Sequence, residues 1–173
     1  RTGRLLRYDS HTQKTEVMMD GLFFANGVTL GPNEDYVLVN ETGMGRVHRL
    51  WLKGDKAGQR DIFTDELPGT PDNIRFDGDG TFWIAMPSLR ADLDALATLP
   101  RLRALLSFLP ISVLEAAAQP GSFVIGVNLE GEVVHNLQDQ DNPFHYITGV
   151  TPCGNNLYLG SLQTEAIGVL PRP

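Results

Sequence analysis

The sequence predicts an all-β fold, a β-propeller built of short antiparallel strands, and three observations lead there. Apolar residues alternate with polar ones in short runs along most of the chain, as in half-buried strands. Gly, Asp and Asn punctuate those runs, as turns require. A unit also recurs: "ANGVTLGPNEDYVLV", "PDNIRFDGDGTFWIA" and "ITGVTPCGNNLYLGS" superimpose as a polar residue, a spacer, a β-branched residue, a turn and an apolar strand. Asn26 and Asp72 lie 46 residues apart, and Asp72 and Thr148 lie 76 apart, an excess of 30. A repeat of 40 to 50 residues with four strands is the mark of a propeller blade, roughly as in other radial arrays.

Taken in order, "RLLRYD" and "TEVMM" read as the last two strands of one blade. "GVTL", "YVLVNE", "VHRLWL" and "RDIFT" form a full blade at about Phe23–Thr64, with "GPNED" as its first turn. "NIRFD", "TFWIAM", "FVIGVNL" and "EVVHNL" form a second at about Asp72–Gln138. The excess residues fall inside that blade as a helical insertion over 90–120. Leu93, Leu96, Leu99, Leu102 and Leu105 make one stripe there, with Pro100 suited to the first turn of a second helix and Pro110 to its end. The insertion reads as a helical pair on the surface, a lid over the channel mouth or a membrane contact, though Arg101 and Arg103 off the stripe do not make the Lys/Arg-rich polar face such a contact needs. Ile147–Leu170 supplies about three more strands, including "NLYLGSL" and "AIGVL". That makes about three blades, whereas propellers have at least about four. The sequence is therefore expected to cover about the C-terminal half of a six-bladed propeller, the N-terminal half being a missing partner.

The repeat puts Asn26, Asp72 and Thr148 at one structural position, the start of an innermost strand. Asn and Gly are poor strand formers, so "ANG" at the start of a strand needs a reason. One reading turns Asn26 and Asp72 toward a polar central channel; the other makes them caps of turns at strand starts. "DGDG" at Asp77–Gly80 reads as a hairpin turn, its glycine spacing being wrong for an EF-hand loop. Asn40-Glu41-Thr42 is a formal glycosylation sequon that reads as a strand end.

With 173 residues, 42% hydrophobic, and a net charge of −7, the chain suits one soluble domain. It has no Lys/Arg cluster, which argues against nucleic-acid binding, and no apolar run long enough to span a membrane. Its one cysteine, Cys153, cannot form an internal disulfide and reads as a buried structural thiol. His48 and His135 alternate within strands and read as solvated or interblade residues. His145 in "DNPFHYITG" precedes the last inner strand and is a candidate substrate-side residue.

"FFANGVTLGPNEDYVLVNET", "RVHRLWLKGDKAGQRDIF" and "LPGTPDNIRFDGDGTFWIAM" resemble the strictosidine synthase-like family, which includes the adipocyte plasma membrane-associated protein. The wider group holds the paraoxonases and regucalcin-type gluconolactonases, six-bladed propellers with a channel calcium. The resemblance implies that Asn26 and Asp72 are calcium ligands, with Asn73 contributing, and that a small-molecule ester or lactone is the substrate. It implies the remaining ligands and any catalytic histidine outside this chain, so the catalytic residues are not identified. The alkaloid synthases of the family use a Glu at or near the position of Thr148, and a threonine is no base near neutral pH. Strictosidine synthase activity is thus disfavoured, and a calcium-dependent hydrolase is the leading expectation. The alternatives are a non-enzymatic propeller that binds a ligand or protein, and a lyase using another base. Two open blade faces would also admit a homo-oligomer.

Overall fold

The computed structural model describes residues 2–90, 122–139 and 144–173. Past Arg90 the expected helical insertion lies outside the described residues. Among the described residues thirteen strands form four antiparallel sheets of two, four, four and three strands. The first sheet pairs β1 (Gly3–Asp9) with β2 (Lys14–Leu22). The second runs β3 (Ala25–Leu30), β4 (Tyr36–Glu41), β5 (Arg46–Trp51), β6 (Arg60–Thr64) in chain order. The third runs β7 (Ile74–Phe76), β8 (Phe82–Met86), β9 (Phe123–Val127), β10 (Val133–Gln138) in the same way. The fourth is β11 (Ile147–Cys153), β12 (Asn156–Ser161), β13 (Gly168–Pro171). The strands expected from alternation are present, and "GPNED" is the β3–β4 turn, with Asn33 in left-handed backbone.

Each sheet meanders outward from a first strand, and the sheets pack face to face. Three apolar layers result. Met19, Leu22, Val37, Val39 and Leu50 join the first sheet to the second. Tyr36, Leu38, Phe63, Phe82, Ile84 and Ile125 join the second to the third. Trp83, Val124, Ile147, Val150, Leu157 and Leu159 join the third to the fourth. Strands β4, β8 and β9 are buried on both faces, so successive residues serve different layers. That is why "YVLV", "TFWIAM" and "FVIGV" read as nearly continuous apolar runs instead of a clean alternation.

The first strands of the last three sheets lie side by side. The Gly27 N–H donates to the Asp72 carbonyl at 3.1 Å, and the Asn73 N–H donates to the Thr148 carbonyl at 3.2 Å. A Cβ on Gly27 would meet the Asp72 oxygen at 2.3 Å, the Asn73 Cα at 2.7 Å and the Ile74 nitrogen at 2.8 Å, all of them backbone. Glycine is required at 27 because two backbones approach there. The Asn-Gly pair is therefore part of strand β3 and not a turn.

One expectation is corrected, and the strand-end reading of the sequon holds. Cys153 is exposed, at the β11 end of the β11–β12 hairpin. Its neighbour Val150 enters the core, while Thr151 and Cys153 fall on the open face of the same strand. The sequon at Asn40 is sealed: Asn40 has no exposed surface, so its amide is inaccessible to glycosylation in the folded chain.

Candidate functional site

The residues singled out by the repeat form one connected set. Asn26 lies beside Asp72 and favours its charged form. The Asn73 amide nitrogen donates to the Thr148 carbonyl at 2.7 Å and reaches the Asp72 Oδ1 at 3.4 Å. Asn26, Asp72 and Thr148 thus do occupy matching places on β3, at the start of β7 and on β11. The match extends two residues back: Phe24 and Tyr146 both have positive φ, at 61° and 50°. Left-handed backbone is strained for aromatic residues. Each kink is tied down, since the Phe24 carbonyl accepts the Thr42 N–H at 3.0 Å and the Tyr146 carbonyl accepts the Leu162 N–H at 3.1 Å.

Below this set, the inner strands enclose a cleft of about 510 Å³ lined by Asn26, Gly27, Asn73, Arg75, Gly149, Thr151 and their neighbours. His145 does not line it; its carbonyl accepts the Ser161 hydroxyl at 2.6 Å, two residues before β11. His135 stacks on Trp83 with ring centroids 5.3 Å apart, a packing role. The "DGDG" segment is the β7–β8 turn, with Asp77 Oδ1 accepting the Asp79 and Thr81 N–H groups at 2.8 and 3.0 Å.

Burial pushes the Asp72 carboxyl above the usual range, and Asn26 beside it only partly offsets this. No Lys or Arg among the described residues pairs with Asp72. A half-buried carboxylate with two amides beside it and no cation is the electrostatic complement of a bound cation. The donor chemistry fits calcium, a hard ion that takes oxygen: one carboxylate and the amide oxygens of Asn26 and Asn73. Calcium takes about six to eight ligands, so these side chains leave further positions to other oxygens. Among the described residues no three His, Cys, Asp or Glu side chains gather as a metal site, so softer, imidazole- or thiolate-binding metals find no set here.

Sequence reading missed what holds the site in place. The sequon residues are buried polar groups at the end of β4, and two of them, Asn40 and Thr42, grip the segment leading into β7 that carries Asp72. The Asn40 Nδ2 donates to the Asp72 carbonyl at 2.6 Å, and the Thr42 hydroxyl donates to the Pro71 carbonyl at 2.6 Å. Asn40 Oδ1 is buried without a donor. Glu41 turns the other way, toward the first sheet. Its Oε1 accepts the Phe23 N–H, and its Oε2 accepts from Arg46 Nε and His48 Nε2, each at 2.7 Å. Arg60 Nε lies 3.3 Å from His48 Nδ1 and can only donate, so the His48 proton sits on Nε2. Burial lowers the His48 pKa, opposed by the Glu41 bond, and the ring is neutral near pH 7. Burial would raise the Glu41 carboxyl, but the bonds from His48, Phe23 and Arg46 outweigh it and hold it at about 2. The legible signal was two polar residues, Asn40 and Glu41, ending an otherwise apolar strand.

Comparison with known proteins places the chain. The family model for strictosidine synthase matches residues 1–55. The chain is similar to STRICTOSIDINE SYNTHASE-LIKE 10 of Arabidopsis thaliana, 36% identical over 98% of this chain and 47% of that protein. It is equally similar to the adipocyte plasma membrane-associated protein of Gallus gallus, 36% identical over 95% of this chain and 41% of that protein. The chain spans about half the length of the curated relatives it matches. Among solved structures it is similar to a luciferin-regenerating enzyme, with a TM-score of 0.63 at 17% identity over 95% of this chain and 46% of that one. A chain of a nidogen/laminin complex gives a TM-score of 0.61 at 15% identity, over 98% and 51%. Both are β-propeller proteins, which supports the fold.

Proposed function

We propose that this chain, which belongs to the strictosidine synthase-like family, forms part of a calcium-dependent hydrolase of small lactones or aryl esters. The observation that carries the reading is Asp72, a half-buried carboxylate beside Asn26 and Asn73 with no cation to neutralise it. Asp72, Asn26 and Asn73 would hold the ion. Bound there, calcium would supply Lewis-acid polarisation of a substrate carbonyl. Gly27 brings β3 against β7, and Asn40 and Thr42 fix the backbone at Asp72 and Pro71. Asn73, bonded to the Thr148 carbonyl, spans from β7 to β11. These residues supply binding and orientation; the group that activates water is not among them.

Thr148 favours a second reading. Family synthases place a glutamate at or near this position, and here the side chain has no carboxylate to take a proton. A propeller that binds a ligand or a protein without turnover fits that loss. Lactone and aryl-ester hydrolysis, assayed with calcium and again with a chelator, separates the two. Calcium-dependent turnover lost in Asp72→Ala supports the hydrolase. Turnover and metal content both unchanged in Asp72→Ala would remove it, and no turnover across a broad ester panel would favour the binding protein.

A further inference from the structure

We infer that Arg75 is an anion-recognition subsite of the inner-strand cleft, selecting esters or lactones that also carry a carboxylate. The inference rests on the hydrolase reading for the ester half of the ligand, but not for the anion half. Arg75 lies on β7 two residues beyond Asn73, so the two side chains point to the same face of the strand, about 7 Å apart along it. Both line the cleft, as does Thr151 from β11, which is exposed and offers a hydroxyl. The Arg75 side chain is exposed, and its guanidinium has no hydrogen-bond or ion-pair partner among the described residues. The other described arginines on the inner blades behave differently: Arg46, Arg49 and Arg60 are each bonded to a carboxylate, an imidazole or a carbonyl.

Asp72 does not neutralise Arg75. No ion pair joins the two side chains among the described residues. Arg75 therefore stands at the cleft as an unpaired cation among the described residues. The cleft offers the amides of Asn26 and Asn73 at one end and the Arg75 guanidinium at the other, with apolar Val28 and Val150 also lining it. The chain as a whole carries 21 acidic residues against 14 Lys and Arg and so repels anions at long range. A local guanidinium with five donors in a planar fork is what would select a carboxylate against that field. The ligand class that matches both ends is an ester or lactone with a carboxylate about one strand pleat from its carbonyl.

Two aryl esters of equal chain length test this, the neutral aryl hexanoate and the anionic mono-aryl adipate, each assayed with calcium on the wild type and on Arg75→Ala and Arg75→Lys. The expected result is a KM for the adipate ester raised about tenfold or more in Arg75→Ala, partly recovered in Arg75→Lys, with the neutral ester unchanged. Equal changes for both esters, or none, overturn the subsite. If neither ester is turned over, the hydrolase reading fails, and adipate titrated into the calcium-free chain decides the subsite alone. A shift of the Arg75 Nε–H resonance, absent in Arg75→Ala, supports it; no shift at tens of millimolar adipate overturns it.

Discussion

Replacing Glu41 by glutamine keeps the shape of a fully buried side chain and removes its charge. Three donors converge on that carboxylate, from Phe23, Arg46 and His48, each at 2.7 Å. A glutamine oxygen can satisfy only part of them, and its NH₂ meets either the Phe23 N–H or the Arg46 and His48 donors, donor to donor. The carboxyl falls from its ordinary 4.5 to about 2 on folding. A depressed acid stabilises the fold above its unfolded pKa, and that stability is lost as pH falls through the folded value. The shift corresponds to about 3 kcal/mol at pH 7 and about 1 kcal/mol at pH 3, because by then much of the carboxylate's advantage is titrated away. Loss of one member of a buried ion pair costs a similar amount, about 3–5 kcal/mol. Urea unfolding of wild type and Glu41→Gln at the two pH values measures this. The expected gap is about 3 kcal/mol at pH 7, narrowing to about 1 kcal/mol at pH 3. A gap below about 1 kcal/mol at pH 7, or one that does not narrow with acid, would refute the reasoning.

Three further outcomes follow from the same geometry. Gly27→Ala forces a methyl into the Asp72 and Asn73 backbone and should cost about 2–4 kcal/mol in urea unfolding, through overpacking and loss of the Gly27–Asp72 bond. A cost of only a few tenths of a kcal/mol would mean the inner strands separate freely, roughly at the level of a surface change. Asp72→Asn should lower calcium affinity measured by calorimetry at pH 7 by tenfold or more, about 1.4 kcal/mol or above, while leaving the circular dichroism spectrum unchanged. Finally, Leu6, Tyr8 and Val17 of the first sheet and Leu162, Ile167 and Val169 near the last are exposed apolar side chains on or beside unpaired sheets. We expect the isolated chain to self-associate through these surfaces, or to do so until a complementary set of blades covers them; a single 19.0 kDa species across a sedimentation concentration series would count against that.

The strands were legible because their alternation and their turns are local properties. "YVLVNE" and "RDIFT" are strands in the sequence and strands in the structure. The repeat also located Asn26, Asp72 and Thr148, because equivalent places on successive sheets recur at one spacing. What those residues touch was not legible. The grip of Asn40 and Thr42 on the Pro71–Asp72 backbone ahead of β7 spans 32 and 29 residues of sequence, and no local pattern encodes it. Cys153 was misplaced for a related reason. Its strand has one face in the core and one open, and the bulge between Ile147 and Gly149 makes simple alternation an unreliable guide to which. Arg75 escaped notice because an arginine in a strand looks like a solvated residue until the neighbouring inner strands are placed beside it.

The central claim is that Asp72, Asn26 and Asn73 share one cation. The most direct measurement is an anomalous difference map from a crystal grown with calcium or a lanthanide. The account predicts a single peak at the inner-strand cleft, with oxygens of Asp72 and Asn26 about 2.3–2.6 Å from a bound calcium. A saturated crystal with no peak there, or with its peak at the Asp77–Gly80 turn, would contradict it.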